Sequence, residues 1–226
     1  DIAALKVDVF ARAIAAYRPD CNVIPVGANI YTREAVLAAA DADLLFCCVD
    51  GSEGRFVCDR IAAALALPLF DVGVSIPTRQ GQDGERHIAE ACGRIDYVFP
   101  GGSTLADRNV YTPQTLEAEY LRRTAPDAYR QRLEEGYLRG LAEEAPAVIA
   151  LNMRAASALV MEFIARAFPF RHAANERYAR TTFMLADGDE EHLAESDFEA
   201  SDPTWLAAGL QEPLLGLPAL AKQEVA

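Results

Sequence analysis

Apolar residues follow two different spacings along the first third of the chain. Where they recur three and four positions apart they predict amphipathic helices, and where they run continuously for a few positions they predict buried strands. The predicted helices cover residues 6–17, 32–40 and 53–66. The predicted strands cover residues 22–27, 44–49 and 69–74. Because strands and helices alternate, we expect a parallel sheet with right-handed crossovers.

The pattern changes after residue 75. Residues 75–85 are rich in Gly, Gln, Pro and Thr and predict an exposed loop. The remaining pattern predicts strands at 87–99 and 178–185, and helices at 113–124, 126–144 and 152–168. The predicted fold class is therefore α/β and Rossmann-like, with a largely parallel sheet flanked by helices and a helical insertion near 112–145.

The C-terminal region has a different composition. Residues 187–202 carry eight acidic residues and neither Lys nor Arg, which predicts a solvated or mobile segment. The tail that follows contains Trp205 and the apolar run 213–218, which is suited to docking on another surface. We therefore divide the chain into a domain at 1–186 and an acidic linker with a C-terminal tail at 187–226.

Length and charge narrow the classes of function. A chain of 226 residues is long enough for one sizeable α/β domain. Its net charge of −13 argues against nucleic acid as the main partner. The sequence contains no run of eighteen apolar residues, no signal-like opening and no disulfide-type spacing of its five cysteines. We therefore expect a soluble, cytoplasmic protein without a membrane partner.

Asp50 is the first candidate functional residue. It directly follows the predicted strand at 44–49, and the carboxyl ends of strands in open α/β sheets line the ligand-binding crevice. A carboxylate there suits a site for a metal ion and phosphate groups. The same side chain could instead cap the helix predicted at 53–66. The spacing alone leaves both interpretations open.

Three segments carry recognisable motifs. Residues 1–6 have the sequence Asp-Ile-Ala-Ala-Leu-Lys, residues 18–23 Arg-Pro-Asp-Cys-Asn-Val, and residues 42–50 Ala-Asp-Leu-Leu-Phe-Cys-Cys-Val-Asp. The third segment is followed by Arg55, Asp59 and Leu67-Pro-Leu. Together they resemble the superfamily of ThiF, MoeB and ubiquitin-activating enzymes, which are ATP-dependent adenylyltransferases.

The sequence departs from that family's pattern at three positions. Ala3 stands where the Gly-x-x-Lys element of the family has glycine. In the family's D-C-T-D-N-x-x-x-R-x-x-x-N pattern, Gly51 replaces the Asn that follows the last Asp, and Asp59 replaces the later Asn. These departures leave the nucleotide site as an expectation to be tested on the structure.

The resemblance covers residues 1–75. Residues 86–168 agree only in the order of elements, and residues 102–146 look most like bacterial members of ubiquitin-like conjugation operons. The family's glycine-rich phosphate loop and ribose-binding acidic residue lie before the Lys element. The resemblance therefore implies that these parts precede residue 1.

The resemblance also implies a reaction and its residues. The C-terminal carboxylate of a ubiquitin-like or sulfur-carrier protein would attack the α-phosphate of ATP. Asp50 would hold Mg²⁺, Lys6 would contact the phosphates of ATP, and Arg55 would support the site as a partner of Asp50 or of a loop carbonyl. Asp71 and Ser75 would line the channel for the partner's tail, or would be ordinary solvated loop residues. A homodimer is implied, and a conjugating enzyme is a possible further partner.

Cysteine and histidine positions add two expectations. Relatives that form a thioester need an exposed thiol with a lowered pKa, and Cys92 is the best candidate, with a buried or inert thiol as the favoured alternative. Relatives that bind zinc carry paired C-x-x-C motifs, one of them near positions 101–108, and neither pair occurs in this sequence. We therefore expect no zinc.

Two other functions remain open. An inactive scaffold subunit of a ubiquitin-like activating complex would carry the same motifs with departures such as Gly51 and Asp59. A fragment of a Rossmann NAD(P)-dependent oxidoreductase would also have an Asp at a strand end, although the sequence contains no G-x-G-x-x-G.

Overall fold

The computed structural model describes residues 3–82, 84–136, 148–201 and 204–222. The first half contains α1 (Lys6–Tyr17), α2 (Arg33–Ala39), β1 (Leu45–Cys47), α3 (Ser52–Leu65), β2 (Leu69–Ser75), β3 (Thr78–Gln80), β4 (Arg86–Ile88) and β5 (Cys92–Val98). The second half contains α4 (Pro113–Thr124), α5 (Pro126–Glu134), α6 (Ile149–Ala167), β6 (Arg180–Met184) and β7 (Asp189–Leu193). Of these described residues, no helix has the length and apolar character needed to cross a membrane.

The main sheet has the strand order β1-β2-β5-β6-β7, and only β1 and β2 are parallel. The prediction of a largely parallel sheet is therefore wrong for the described residues. A parallel pair needs a long crossover, and α3 provides one between β1 and β2. The chain between β2 and β5 forms the β3–β4 hairpin instead of a helix, so β5 returns antiparallel to β2.

Most of the predicted helices are confirmed, and the strand boundaries are less accurate. The helix predicted at 126–144 ends at Glu134, and its positions 137–144 lie outside the described residues. Residues 22–27, predicted as a strand that contains Pro25, have no strand pairing. The strand predicted at 87–99 is divided between β4 and β5, and the predicted loop before it contains β3.

The acidic segment after residue 186 is partly a strand. Asp189–Leu193 forms β7 and pairs with β6 from Arg180↔Leu193 to Met184↔Asp189. Gly188, at φ +74°, allows the tight turn between the two strands. The carboxylates of β7 stay exposed to water at the edge of the sheet, which discourages pairing with another strand. These residues are thus exposed, as predicted, but they form a strand that the sequence pattern did not predict.

Two helices cover the two faces of the sheet. α6 packs on β2 and β5 in an apolar cluster that includes Phe70, Ile95, Leu159 and Phe183. α3 packs on the other face, where Ala62 meets a cluster formed by Cys47, Leu69, Val98 and Leu105. The alternation of side chains along β2 and β5 therefore separates the core into two layers.

The predicted apolar tail docks on the protein's own core. Leu214, Leu215 and Leu220 are buried against Val36 of α2 and Ile61 of α3. Hydrogen bonds also tie the tail to the end of α3, from the backbone N–H groups of residues 207 and 209 to carbonyls of residues 63 and 64. The described tail therefore belongs to the same core as the two helices.

α1 forms as predicted, but the described residues do not bury its apolar face. None of its residues is buried, and Phe10, Ile14 and Tyr17 are 65, 40 and 86% exposed. β1 likewise has a strand neighbour on one side only within the described part of the chain, and Phe46 on it is 43% exposed. Apolar surface thus remains at this end of the sheet.

The packing of the tail leads to a test of stability. We expect Leu214→Ala to lower the free energy of unfolding by about 2–5 kcal/mol, because it empties a fully enclosed position between three segments. Urea denaturation would measure the change. Leu210→Ala is the matched control, since Leu210 is 42% exposed and its truncation should change little. Equal effects of the two variants would contradict the docking of the tail.

Candidate active site

Asp50 lies three positions beyond β1, at the carboxyl end of the parallel pair. Its side chain is exposed, and α3 begins two residues later. Lys6 is the first residue of α1 and is also exposed. No hydrogen bond or ion pair within the described residues connects Lys6 with Asp50. Their shared role in binding ATP phosphates therefore stays a prediction.

Arg55 connects the loop of Asp50 to the next strand. From the first turns of α3, its Nη1 donates to the carbonyl of Asp50 at 3.4 Å. Its Nη2 donates to the carbonyl of Val72 at 3.3 Å, and its Nε donates to Oδ1 of Asp71 at 3.3 Å. One guanidinium thus ties the loop after β1 to the middle of β2.

A buried cluster of arginine and aspartate continues from Arg55 along the same face of the sheet. Asp71 on β2 and Asp96 on β5 are opposite each other in the ladder, and both are fully enclosed. Arg94 pairs with both carboxylates, at 2.7 Å from its Nη2 to Oδ2 of Asp71. Nη1 of Arg108 and Nε of Arg180 donate to Oδ1 of Asp96 at 3.2 and 2.9 Å. Pairing makes burial of these charges tolerable.

The arginines of the cluster stay charged although they are largely buried. Four guanidinium groups, of Arg55, Arg94, Arg108 and Arg180, meet three carboxylates, of Asp71, Asp96 and Glu195. Burial lowers the pKa of Arg94, Arg108 and Arg180, and an arginine remains charged even so. The charge of Asp59 also acts on Arg108, so the positive and negative groups of this region are balanced.

Gly73 lets two of these guanidinium groups lie over β2. A Cβ at this position would be 3.0 Å from Nη2 of Arg94 and 3.4 Å from Nη2 of Arg55. Asp71 itself is fully enclosed, whereas Ser75 is exposed at the end of the strand. Of the two residues expected to line a channel, only Ser75 therefore presents its side chain to solvent.

The sequence contains a partial signal for this cluster. Arg94 and Asp96 alternate with apolar residues inside a predicted strand, and Asp71 interrupts another. Charged residues at every second position of a strand that is otherwise apolar indicate one buried face with paired charges. The partners Arg108, Arg180 and Glu195 come from distant segments, and local spacing could not identify them.

Glu119 of α4 caps the N-terminus of α3 beside Asp50. Its two carboxylate oxygens accept hydrogen bonds from the backbone N–H groups of Ser52 and Glu53, at 2.7 and 2.8 Å. Gly51, the N-cap residue, has no side chain for this task, and a Cβ there would be 3.1 Å from the Glu119 carboxylate. The replacement of Asn by Gly51 is therefore matched by a carboxylate from the helical insertion. Arg123 strengthens the contact by pairing with Glu53 at 2.9 Å.

Asp59 serves the loop that follows β5. Its carboxylate accepts hydrogen bonds from the backbone N–H of Leu105, at 3.1 and 3.2 Å, and from the hydroxyl of Tyr111, at 2.7 Å. Burial raises the pKa of Asp59 to about 6, although these hydrogen bonds act in the opposite direction. The second departure from the family pattern is therefore a structural anchor on α3.

Cys92 is the first residue of β5 rather than part of a bend before it. Its Sγ lies 3.6 Å from the carbonyl oxygen of Ser75. Burial, and next the charge of Glu90, raise the pKa of Cys92. A thioester-forming cysteine needs the opposite shift, so nothing in this environment activates the thiol. Its role as a nucleophile stays a prediction.

The donor set for Mg²⁺ in this protein is small. The described residues contain no group of three or more His, Cys, Asp or Glu side chains arranged to hold a metal ion. Mg²⁺ in nucleotide sites is usually bound through one or two carboxylates together with phosphate oxygens and water. The exposed carboxylate of Asp50 fits that pattern, because the remaining ligands would come from the nucleotide and solvent.

The sequence matches no protein-family model and no curated protein. The structure matches E. coli MccB with ATP at a TM-score of 0.58 and 10% identity, over 90% of this chain and 51% of that chain. The microcin C7 biosynthetic enzyme MccB in complex with N-formylated MccA gives a TM-score of 0.58 and 11% identity, over 90% and 52%. The chain has an MccB-like fold. It spans about half the length of the MccB chains that it matches.

Asp59 leads to a prediction about pH within this MccB-like fold. Because its pKa is raised in the folded state, ionisation of Asp59 destabilises the protein as pH rises from about 4 to about 6. Asp59→Asn removes that penalty. The free energy of unfolding of this variant, taken relative to the wild type, should therefore rise by about 1–3 kcal/mol between pH 4.5 and pH 7.5. Urea denaturation at both pH values would measure it, and a constant difference would contradict the raised pKa.

The cap on α3 leads to a second prediction. Glu119→Ala should cost about 1–2 kcal/mol and speed amide exchange at Ser52 and Glu53, because their N–H groups lose an acceptor. Gly51→Ser should restore part of the loss in the Glu119→Ala background, where a side-chain cap has room. The same change alone should destabilise the protein by crowding Glu119.

Glu117→Ala is the matched control for the cap. Glu117 lies on the same helix and forms an exposed ion pair with Arg132, so its loss should cost less than about 0.5 kcal/mol. Absence of any rescue by Gly51→Ser would show that Glu119 acts on stability through another contact.

Proposed function

We propose that this chain is part of an ATP-dependent adenylyltransferase that activates the C-terminal carboxylate of a protein or peptide. The observation that carries the proposal is the contact that Arg55 makes between the loop after β1 and strand β2. There the exposed carboxylate of Asp50 lies in a loop that Arg55 ties to the buried cluster of arginines and aspartates. Similarity in fold to MccB, solved with ATP and with MccA, supports the same proposal.

The proposed reaction joins two anions. A carboxylate attacks the α-phosphorus of ATP, the bond to the bridging oxygen breaks, and pyrophosphate leaves. Mg²⁺ bound by Asp50 would neutralise charge on the phosphates. The partly exposed edges of Arg55 and Arg94 would attract the incoming carboxylate, and Lys6 would meet the phosphates as a point charge.

The substrate class is proposed more narrowly from the sequence. The motifs resemble enzymes that act on ubiquitin-like or sulfur-carrier proteins, whereas the MccB structures contain MccA. A flexible C-terminal tail that ends in a carboxylate is common to these proposals. A homodimer, Mg²⁺ and a conjugating enzyme as a further partner belong to the same proposal and follow from the resemblance alone.

A scaffold subunit without activity is the second candidate. Its specific support is the position of Lys6, which no hydrogen bond or ion pair in the described part of the chain connects to the Asp50 loop. Such a subunit would keep the fold and a docking surface and would leave the chemistry to a partner chain.

ATP–pyrophosphate exchange in the protein at its full encoded length separates these candidates. With a suitable carboxylate partner we expect ATP–pyrophosphate exchange. Its rate should fall on the order of 100-fold in Asp50→Asn, because the variant lacks the carboxylate that would hold Mg²⁺ at the phosphates. Asp41→Asn, a change at an exposed carboxylate before β1, is the matched control and should keep full activity.

Two outcomes would contradict the proposal. Exchange that is unchanged in Asp50→Asn would remove Asp50 from the reaction. Absence of exchange with every ubiquitin-like, sulfur-carrier and peptide partner would favour the scaffold, and binding of a nicotinamide dinucleotide would favour the oxidoreductase.

A further inference from the structure

A cavity lies at the opposite end of the strands from Asp50. β5 runs antiparallel to β2, so its carboxyl end lies where β1 and β2 begin. The cavity at this end has a volume of about 470 Å³, and its walls include Phe56 and Arg60 of α3, Phe99, and Trp205. Neither Lys6, Asp50 nor Arg55 lines it. Its volume is in the range of small-molecule sites, and its lining is mostly apolar.

Arg60 is the unusual member of this lining. Its guanidinium carbon lies 4.4 Å from the ring centre of Trp205 and 5.4 Å from that of Phe56. The two rings contact the guanidinium by cation–π geometry, which supplies no hydrogen-bond acceptor. Nη1 is enclosed and has no hydrogen-bond partner among the described residues. Burial lowers the pKa of Arg60, because the charge is only partly compensated.

The neighbouring carboxylate is already engaged. Asp59, next to Arg60 on α3, accepts hydrogen bonds from the N–H of Leu105 and the hydroxyl of Tyr111. It does not form a direct ion pair with Arg60 in the described part of the chain, although its negative charge partly offsets the effect of burial on the pKa of Arg60. Asp59 and Arg60 both line the cavity, which therefore combines a mostly apolar wall with one carboxylate whose oxygens already accept hydrogen bonds and one guanidinium whose Nη1 has no acceptor among the described residues. Buried donors without acceptors are rare in proteins and indicate that something else supplies the acceptor.

We propose that this cavity binds a small organic anion, a monocarboxylate with an apolar body. The planar guanidinium of Arg60 would pair with the carboxylate through two N–H groups, and the apolar part would lie among the aromatic and aliphatic walls. The proposal is independent of the reaction proposed at Asp50, since the two sites share no lining residue.

The chain contains its own reporter for this site. Trp205 is the only tryptophan in the sequence. The six-membered part of its ring lies against Gly216, where a Cβ would be 2.0 Å from Cη2, so the backbone of Gly216 limits the movement of the indole on that side. Its emission therefore reports on the face that is turned to Arg60 and the cavity.

Titration of the protein with octanoate and with octanol, followed by Trp205 fluorescence and by the melting temperature, tests the proposal. We expect octanoate to give a saturable change and to raise the melting temperature, and octanol to bind at least 10-fold more weakly. The two ligands share the apolar body and differ in the carboxylate, so the comparison on the wild type needs no variant. Equal affinity for the two would overturn the role of Arg60.

Arg60→Met keeps an unbranched apolar side chain and removes the charge, and we expect it to weaken octanoate binding at least 10-fold and to leave octanol binding unchanged. Arg154→Met is the matched control, because Arg154 lies over the ring of Phe183, outside the cavity. Octanoate binding that survives Arg60→Met would contradict the proposal. Absence of any saturable change in the wild type would show that the cavity holds solvent only.

Discussion

The buried carboxylate of Asp96 is the centre of the ion-pair network that connects β5 with the segments around it. From the middle of β5 it accepts hydrogen bonds from arginines on its own strand, on β6 and in the loop after β5. One of these, Arg108, also donates to Glu195 beyond β7, at 2.7 Å. The carboxylate thus joins β5 to the loop after it and to β6, and Arg108 extends the connection to Glu195. Its burial is stable only because each neighbour contributes a positive charge, so none of these residues can be understood alone.

The same network fastens the loop at 101–108, where some members of the resembled superfamily carry half of a paired-cysteine element. Here Nε of Arg108 donates to Ser103 at 2.9 Å, and the N–H of Ser103 donates to Glu195 at 2.5 Å. From the other side, Asp59 holds the N–H of Leu105. Ion pairs and hydrogen bonds therefore connect this loop both to α3 and to the segment after β7, without a cysteine in the loop.

Local pattern was sufficient for most helices and for β1, β2 and β6, because the spacing of apolar residues is decided within a few turns of chain. It was insufficient to predict the relative direction of neighbouring strands in the sheet. That direction depends on the segment after β2, where the β3–β4 hairpin replaces the helix that a parallel strand would need. β7 was missed for a related reason: exposed acidic residues look like a linker in sequence, although an edge strand accommodates them equally well.

In the candidate site, too, the residues of the local motif could be predicted and their distant partners could not. Asp50 and Arg55 follow from one short motif, and the structure places both at the carboxyl ends of the parallel strands. Glu119 could not be predicted, because it caps α3 from 67 positions away in sequence.

Two residues that differ from the family pattern, Gly51 before α3 and Asp59 within it, contact partners that are distant in sequence. Gly51 leaves room for the Glu119 carboxylate, and Asp59 anchors the loop after β5 through Leu105 and Tyr111. A change from a family motif can reflect loss of a function or a different support for the same geometry. Because each changed position has a specific partner here, the second explanation accounts for both changes. The departures therefore do not by themselves favour an inactive scaffold over an enzyme.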